Sequence, residues 1–505
     1  MAFTRVRWQP RVQVLGQRVL AFGLEILLLY FRIHYSSVFM RFSPRVFLLL
    51  TAFCAVGAFL LFTDTWVAFP QHFEPKPIPA FYAGGLKQGS GGQLEYGAVK
   101  PSELFLPSPA RNLGNVLLPN AAFPDPKGCG SCHVEIHTAW SKSLHSSSAT
   151  DALYLKVKEQ FVVERGEPAV RLCAACHAPV ALITGEVGLY NRESVSSQQG
   201  VSCGFCHSLE SVHSDSGGWL VNPARVRAYI GGDATATNKN LAKALMYAKP
   251  RVHQEDMLRP VLSSGEVCKA CHEFKINGVA VQSTWSEFQA SSFPARGVTC
   301  QSCHFSSNGN AKILEAGEIV AGRTRPHVQA HRLLGGSTMV AKVPQDNLAM
   351  LREALKLEPR LLSERLEVKV TNTGAAHAIP TGVADLRQLW LEIRGLNSAG
   401  QQIFSSGVVD SASHFAADTR VFHQVLLDDT NQPILRHDIW RAKKIALDTR
   451  IPADGSRFEV FELPKSTVTV QVRLLWRDVP SAFNKWVLGS NKLPVSILHQ
   501  TQVSR

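Results

Sequence analysis

The chain has 505 residues, of which 45% are hydrophobic, and its 53 Lys and Arg exceed its 40 Asp and Glu to give a formal net charge of +13. This length predicts about two to four domains, and the apolar fraction is typical of a globular protein. The positive charge does not indicate nucleic-acid binding, because about half of it lies before residue 46 and no basic run with interleaved aromatic residues is present.

The N-terminal region predicts a membrane anchor. Residues 1–45 form a basic arm, and residues 46–66 contain an uncharged, mostly apolar run long enough for a membrane-spanning helix. Arg45 precedes the run and Trp66 follows it, so the positive-inside rule puts the arm in the cytoplasm. We therefore expect a single-pass protein of the inner membrane, with the rest of the chain on the periplasmic side.

Two features of this region have alternative interpretations. A cleavable signal peptide, with a weak cleavage site at 55–58, competes with the uncleaved anchor, although the apolar run continues past that site. Met40 opens a compact basic segment directly before the run, so we hypothesise that residues 1–39 reflect a mis-assigned start of translation. A shorter apolar stretch at 19–33 contains charged residues and is the weaker candidate for a second span.

The next segment, residues 67–127, is rich in Pro and Gly, notably at 75–79 and 89–92. It shows no sustained helical or strand periodicity. This composition predicts a tether between the membrane and the globular part of the chain.

Ten of the eleven cysteines fall in five copies of Cys-x-x-Cys-His, and the eleventh, Cys54, lies in the apolar run. In chain order, motifs 1 to 5 are Cys129-Gly-Ser-Cys132-His133, Cys173-Ala-Ala-Cys176-His177, Cys203-Gly-Phe-Cys206-His207, Cys268-Lys-Ala-Cys271-His272 and Cys300-Gln-Ser-Cys303-His304. The pattern is typical of c-type haem attachment. In that chemistry the two thiols bind the porphyrin vinyl groups and the adjacent His becomes the proximal iron ligand.

Zinc sites and thiol redox sites also use Cys-x-x-Cys, but five copies that consume all cysteines except one favour haem. We therefore expect five covalently bound haem c groups. About 35 residues per haem is too little chain for an ordinary core, so the haems should replace part of it. Residues 128–360 are predicted to form a domain of short helices, such as 238–249 and 345–356, packed around the porphyrins.

Histidine is predicted to be the second axial ligand of most irons, because only four methionines follow the anchor. Bis-His ligation implies low reduction potentials. His137 is a weak candidate because it lies one helical turn after His133, and His331 is preferred over His327. The distal candidates are His145, His213, His253, His331 and His377.

The C-terminal region, residues 361–505, alternates apolar and polar residues in several short runs separated by turn residues. The runs are 366–370, 389–393, 458–463 and 468–474. This period-two pattern predicts an antiparallel β-sandwich. The whole chain is thus expected to be α+β, with His377 supplied from a tight loop at 374–382 between strands.

Several segments resemble one family. Cys129-x-x-Cys-His with Trp140, Ser143 and His145 is similar to the first haem segment of the superfamily that contains hydroxylamine oxidoreductase, pentahaem nitrite reductase and the tetrahaem cytochromes of nitrification. The resemblance implies that His145 is the distal ligand of a neighbouring haem. Residues 284–304, 331–336 and 372–382 resemble later segments of the group, the last of them in membrane-tethered members.

The departures from that family matter for function. This chain has no Cys-x-x-Cys-Lys motif, which the nitrite reductases use, and it has five motifs where hydroxylamine oxidoreductase has eight. We therefore expect an electron-transfer protein that connects a redox partner protein or the quinol pool with an acceptor. An oxidoreductase that acts on a small nitrogen or sulfur oxyanion at one open haem is the alternative.

Overall fold

The computed structural model describes residues 68–505 with several internal gaps. The gaps are 79–85, 89–93, 97–100, 189–192, 214–217, 231–238, 307–316, 321–322, 326–327, 336, 340–341 and 491. Residues Ala68–Arg505 belong to one compact unit. The predicted arm and the predicted anchor at 46–66 lie outside the described residues. Within the described part, no helix has both the length and the apolar character that crossing a membrane requires.

The helices are short and crowd into the region of the five motifs. In chain order, α1 to α14 span Pro126–Gly130, Val134–Ser141, Leu144–Ser147, Ala152–Arg165, Arg171–His177, Pro179–Thr184, Cys203–Cys206, Lys239–Ala248, Pro250–Met257, Glu266–His272, Thr284–Ala290, Cys300–His304, Pro344–Glu353 and Ser481–Leu488. Single turns of 3-10 helix occur at Pro101–Glu103, Asn120–Ala122, Glu167–Val170, Ser196–Gln198, Pro223–Arg225, Pro260–Ser263, Pro294–Arg296 and Ile439–Arg441.

Side-chain caps start several of the motif helices. Asp125 accepts a hydrogen bond from the Lys127 amide at 2.9 Å at the start of α1, and Ser202 accepts one from Phe205 at 3.4 Å at the start of α7. Thr299 forms a reciprocal capping box with Ser302 before α12. Such caps satisfy amide groups that have no partner inside the helix, so they allow very short helices to form.

Two kinds of β-structure are present. The strands β1 to β21 span Ala68–Phe69, Leu86–Gln88, Leu94–Tyr96, Arg111–Asn112, Leu209–Val212, Trp219–Val221, Ala228–Tyr229, Phe274–Ile276, Val279–Gln282, Gly317–Val320, Arg323–Arg325, Leu355–Leu362, Arg365–Asn372, Gln388–Leu396, Gln402–Ser406, Val421–Phe422, Gln424–Leu427, Lys444–Asp448, Ser456–Glu462, Thr469–Arg477 and Ser496–Ser504. Strands β1 to β11 form sheets of two or three strands, whereas β12 to β21 form one sheet of three strands, one of five and the two-stranded ribbon β17-β18.

The C-terminal region contains a three-stranded sheet, β12-β13-β19, and a five-stranded sheet, β15-β14-β20-β21 with β16 beside β14. All of their pairings are antiparallel. Apolar residues from both sheets pack into one core, for example Leu366 and Val368 against Leu391 and Val472. The four runs with period-two alternation fall in β13, β14, β19 and β20, so the α+β class that the sequence predicts is correct.

The end of the helix predicted at 345–356 differs from the structure. Helix α13 stops at Glu353, and Leu355 and Lys356 already belong to β12, where Leu355 pairs with Asn372. Gly374 lies so close to Ala354 that an added Cβ would be 2.9 Å from its Cα. Sheet pairing therefore overrides the helical pattern, and the C-terminal sheets begin before the predicted boundary at residue 361.

Residues 101–127, within the segment predicted to be a tether, pack against the helical region. Leu104, Phe105, Ala110 and Leu117 are at most 1% exposed and pack in the same apolar core as Val180 of the helical region. Lys76 also forms an ion pair with Glu186 at 3.0 Å. Pro and Gly prevent regular structure here, but an irregular segment can still be buried when its polar groups find partners.

Asp478, just after β20, joins the C-terminal sheets to the segment that carries His331. Its carboxylate accepts hydrogen bonds from the Ser337 hydroxyl, the Thr338 amide and the Met339 amide, and from Thr338 Oγ1 at 3.0 Å and Trp476 Nε1 at 2.9 Å. Asp478 as a whole residue is 2% exposed. A buried carboxylate with this many donors is a strong fixed point.

We expect Asp478→Asn to lower the free energy of unfolding by about 2–3 kcal/mol, because the amide nitrogen of Asn cannot accept the hydrogen bonds that one carboxylate oxygen receives. Urea unfolding of the holoprotein measures this effect. Asp429→Asn, at an exposed turn position, is the matched control and should leave the midpoint unchanged.

The same variant should show a defined pH dependence. Burial alone would raise the pKa of Asp478, but Arg387 and the hydrogen bond from Ser337 bring it below its ordinary value. An unfolded Asp has a pKa of about 3.9. The contribution of Asp478 to the free energy of unfolding is therefore complete above that pH and is lost as the pH falls through the pKa of Asp478 in the folded protein. A difference in the free energy of unfolding between wild type and Asp478→Asn that persists unchanged in strong acid would contradict this account.

Candidate haem-binding site

One cavity of about 1980 Å³ runs through the helical region. Its lining is predominantly apolar and includes both cysteines and the histidine of motifs 1 to 4, while Thr299, Gln301 and Phe305 around motif 5 also face it. A single small molecule typically occupies a pocket of about 300–1000 Å³, so this space suits several large apolar cofactors. None of the ten motif cysteines forms a disulfide.

Three pairs of histidines have the separation that one metal ion between them requires. The ring centroids are 6.1 Å apart for His133 and His253, 6.2 Å for His145 and His272, and 6.2 Å for His304 and His377. A metal–imidazole bond of about 2.0 Å, added to the roughly 1.1 Å between a ring nitrogen and the ring centre, gives a centroid separation of about 6.2 Å across one metal. The residues therefore fit haem iron with two axial histidines.

The imidazole tautomers also suit metal binding. The Nδ1 atoms of His207, His304 and His377 donate to the backbone carbonyls of Met257, Leu334 and Ala378 at 2.8, 2.5 and 3.0 Å, and those of His331 and His133 donate to Gln329 and Ile319. A carbonyl can only accept, so Nδ1 carries the proton and Nε2 keeps its lone pair. Histidines that ligate metals usually have their other nitrogen held in this way.

Burial keeps four of the candidate ligands neutral. It lowers the pKa of His145 to about 4, of His272 to about 3, and of His304 and His331 to about 4. A protonated imidazole cannot ligate a metal, so a low pKa keeps these side chains ready to bind iron over the ordinary pH range.

The backbone around His145 depends on a glycine. Val201 donates from its amide to the His145 carbonyl at 2.9 Å, and Trp140 Nε1 donates to the Val201 carbonyl at 2.9 Å. Gly200 has φ of +58°, and a Cβ there would lie 2.4 Å from the His145 carbonyl oxygen. Only glycine permits this approach, which places the His145 helix beside motif 3.

The loop that carries His377 is held against helix α11. Glu287 accepts a hydrogen bond from the Ala378 amide at 3.0 Å and forms an ion pair with Arg450 at 2.8 Å. The hydroxyls of Thr284 and Thr381 are also 2.7 Å apart. The C-terminal sheets thus present His377 to His304 of motif 5 through a loop with several fixed contacts.

Cysteines of different motifs influence one another. The thiol of Cys203 lowers the pKa of Cys129, that of Cys300 raises the pKa of Cys268, and that of Cys176 raises the pKa of Cys271. These pairs connect motifs 1 and 3, 4 and 5, and 4 and 2. Cys206 of motif 3 is also close enough to affect the pKa of both cysteines of motif 4. Because these sulfur atoms would bind porphyrin edges, motif 4 lies at the centre of the set.

The remaining predicted distal ligands have different environments. His331 lines the cavity and His207 affects its pKa. His137 also lines the cavity, one turn beyond His133, and its ring packs on Trp140 with centroids 5.7 Å apart. His213 is exposed and is not part of the cavity lining, because β5 carries the chain away from motif 3. His327 lies outside the described residues.

One histidine that the sequence analysis passed over lies in the cavity. His437 follows β17, beyond the region in which distal ligands were sought, and faces the same space as His177. Its Nδ1 is 2.9 Å from one oxygen of Asp385 and 3.0 Å from the other. No sequence signal separates His437 from His414, His423 and His499, the other histidines of the β region besides His377.

Comparisons with known proteins support this interpretation of the site. A family model described as cytochrome c554 and c-prime matches residues 128–208, which contain motifs 1 to 3. The fold is similar to the crystal structure of a penta-haem cytochrome c552 from Thermochromatium tepidum, with 20% sequence identity and a TM-score of 0.53 over 76% of this chain and 100% of that chain. No curated protein matches the sequence. The two matches support a multihaem c-type cytochrome with covalently bound haem c.

Proposed function

We propose that the chain is an electron-transfer cytochrome that holds five haem c groups, most of them with two axial histidines. The observation that carries the proposal is the set of three histidine pairs with centroids 6.1 to 6.2 Å apart. Each pair joins a motif histidine to one that is distant in sequence. Bound haem c would supply one-electron iron chemistry at each of these positions.

The chain's own residues give the set a continuous path. Neighbouring cysteines connect motif 1 with motif 3 and motif 4 with motifs 5 and 2, and Cys206 of motif 3 raises the pKa of both cysteines of motif 4. An unbroken series of neighbouring attachment points is what electron transfer across a protein needs. Saturated bis-His sites also exclude substrates from iron, which favours transfer over catalysis.

We propose that the partners are an exported redox protein or the quinol pool, and that the haem region lies on the periplasmic side of the inner membrane. The support is the uncharged run within residues 46–66, the flanking charges and the fact that c-type haem is attached outside the cytoplasm.

A second candidate function is supported by one observation. Among the described residues, ring contacts pair the histidines of motifs 1, 4 and 5, but none pairs His177 or His207 with a second histidine. If one of these two irons were open, the protein would be an oxidoreductase acting on a small nitrogen or sulfur oxyanion. Turnover of nitrite, hydroxylamine or tetrathionate by fully loaded protein would support that function.

Electron paramagnetic resonance of the oxidised holoprotein tests the proposed function. The imidazole planes are nearly parallel in two pairs, at 18° and 16°, and nearly perpendicular in the pair of His145 and His272, at 78°. Parallel planes split the iron orbitals and give rhombic low-spin signals, whereas perpendicular planes give a highly anisotropic one. We expect at least two rhombic signals, one highly anisotropic signal and a mass corresponding to five haems. A single dominant high-spin signal would contradict the proposal.

A further inference from the structure

The segment that follows His437 is fixed to the helix that precedes motif 2. Trp440 packs on Phe161 with ring centroids 4.4 Å apart and donates from Nε1 to Glu164 at 2.8 Å. Arg441 forms an ion pair with the same glutamate at 2.6 Å. Leu386, Trp440 and Cys173 belong to one apolar cluster, so this part of the β region lies directly against motif 2.

When the histidines that line the cavity are matched, His137 and His437 remain as possible distal ligands, and His137 lies one helical turn beyond His133. Of the motif histidines that line the cavity, His133 and His272 already have partners at about 6 Å. His331 also lines the cavity, where burial and, to a smaller extent, His207 lower its pKa. His177 has no partner among these pairs. His177 and His437 both line the cavity, and the apolar cluster of Leu386, Trp440 and Cys173 places the His437 segment against motif 2.

Tyr154 does not compete for the position opposite His177. Its ring stacks on the His177 imidazole with centroids 4.4 Å apart and an angle of 3° between the planes. A side chain stacked on the proximal imidazole lies on the same side of the porphyrin, so its hydroxyl cannot reach the opposite face of the iron. The second ligand must therefore come from elsewhere in the cavity.

Asp385 prepares His437 for metal binding. The Asp385 side chain is 2% exposed, and both of its oxygens are within 3.0 Å of His437 Nδ1. Accepting the Nδ1 proton leaves Nε2 as the free donor atom. His437 also has φ of +57°, a conformation that a non-glycine residue adopts only when its surroundings hold it there.

We propose that His437, oriented by Asp385, is the axial ligand opposite His177 for the haem attached at Cys173 and Cys176. The proposal rests on the haem-binding function proposed above. Carbonyl oxygens hold Nδ1 of five other candidate ligands in the described part of the chain, whereas a carboxylate holds this one. A carboxylate makes the imidazole a stronger donor and stabilises ferric iron, so this haem should have a lower potential than it would with a carbonyl partner.

The experiment compares His437→Ala with His213→Ala, which removes an exposed histidine outside the cavity. Intact mass should show five haems in wild type and in both variants. We expect His437→Ala to lose one low-spin ferric signal and to gain one high-spin signal per protein, while His213→Ala keeps the wild-type spectrum. His437→Ala with five haems and an unchanged spectrum would overturn the proposal. A wild type without five haems would instead contradict the proposed function.

Two further variants keep the proposal testable if His437→Ala fails to fold. His437→Met can still ligate iron and should stay low-spin, with a positive shift in the potential of one haem. Asp385→Asn should also keep all haems low-spin and shift the same potential upward. Redox titration followed by absorbance measures both shifts. An unchanged titration in His437→Met would overturn the ligand assignment, and an unchanged titration in Asp385→Asn would overturn the role of the carboxylate.

Discussion

Replacing both cysteines of motif 4, Cys268→Ala with Cys271→Ala, is expected to destabilise the whole haem region. Cys300 of motif 5 raises the pKa of Cys268, Cys176 of motif 2 raises that of Cys271, and Cys206 of motif 3 raises both. Loss of the central cofactor would therefore leave neighbouring porphyrins without their packing partner. We expect a fall in the free energy of unfolding of more than about 4 kcal/mol, a size that points to loss of a metal or of a core element.

The measurement is the yield, intact mass and urea midpoint of the purified protein. Cys129→Ala with Cys132→Ala is the control, because it removes the same two thiols from motif 1, where Cys203 of motif 3 is the cysteine that lowers the pKa of Cys129. That control should give folded protein with four haems. If both double variants give four-haem protein of equal stability, motif 4 is not the centre of the set.

The second large effect is expected from His377→Ala. The variant should retain five covalent haems but convert one of them to high spin. The ring centroids of His377 and His304 are 6.2 Å apart, and Nδ1 of His377 donates to the Ala378 carbonyl. The cysteines of motif 5, which would attach the haem, are not altered in this variant. Low-temperature electron paramagnetic resonance together with intact mass measures both properties.

His499→Ala is the matched control within the same β region. The Nε2 atom of His499 is already engaged with the Arg352 carbonyl at 3.0 Å, so it is not available to a metal. This variant should keep every haem low-spin. An unchanged spectrum in His377→Ala would leave the C-terminal sheets with a docking role and no ligand for motif 5. A high-spin signal in both variants would show that the change reports general damage to the β region.

The docking of the β region on the helical region now has a specific physical basis. Glu287 links the His377 loop through Ala378 and Arg450, Asp478 anchors the segment after His331, and Glu164 holds Trp440 and Arg441. Each contact fixes a part of the chain close to a candidate iron ligand. The contacts therefore hold the C-terminal sheets beside the segments that carry these candidate ligands.

The sequence by itself determined the chemistry and the class of the fold. Haem attachment depends on residues within one helical turn, so Cys-x-x-Cys-His predicts it without any tertiary information. Strands β13, β14, β19 and β20 could also be predicted from the sequence, because alternation of apolar and polar residues along a strand directly reflects one buried face and one exposed face. The burial of residues 101–127 could not be predicted from the sequence, because an irregular segment has no periodicity that distinguishes a buried segment from an exposed one.

Only the tertiary structure decided which histidines meet. His133 lies opposite His253, and His145 lies opposite His272, across sequence separations that no local pattern spans. His213 and His437 illustrate the difference. The first follows a motif closely in sequence yet is exposed, while the second is far from every motif and reaches the cavity through the contacts of Trp440. Proximal ligands are fixed by covalent neighbours, whereas distal ligands are fixed by packing between distant segments.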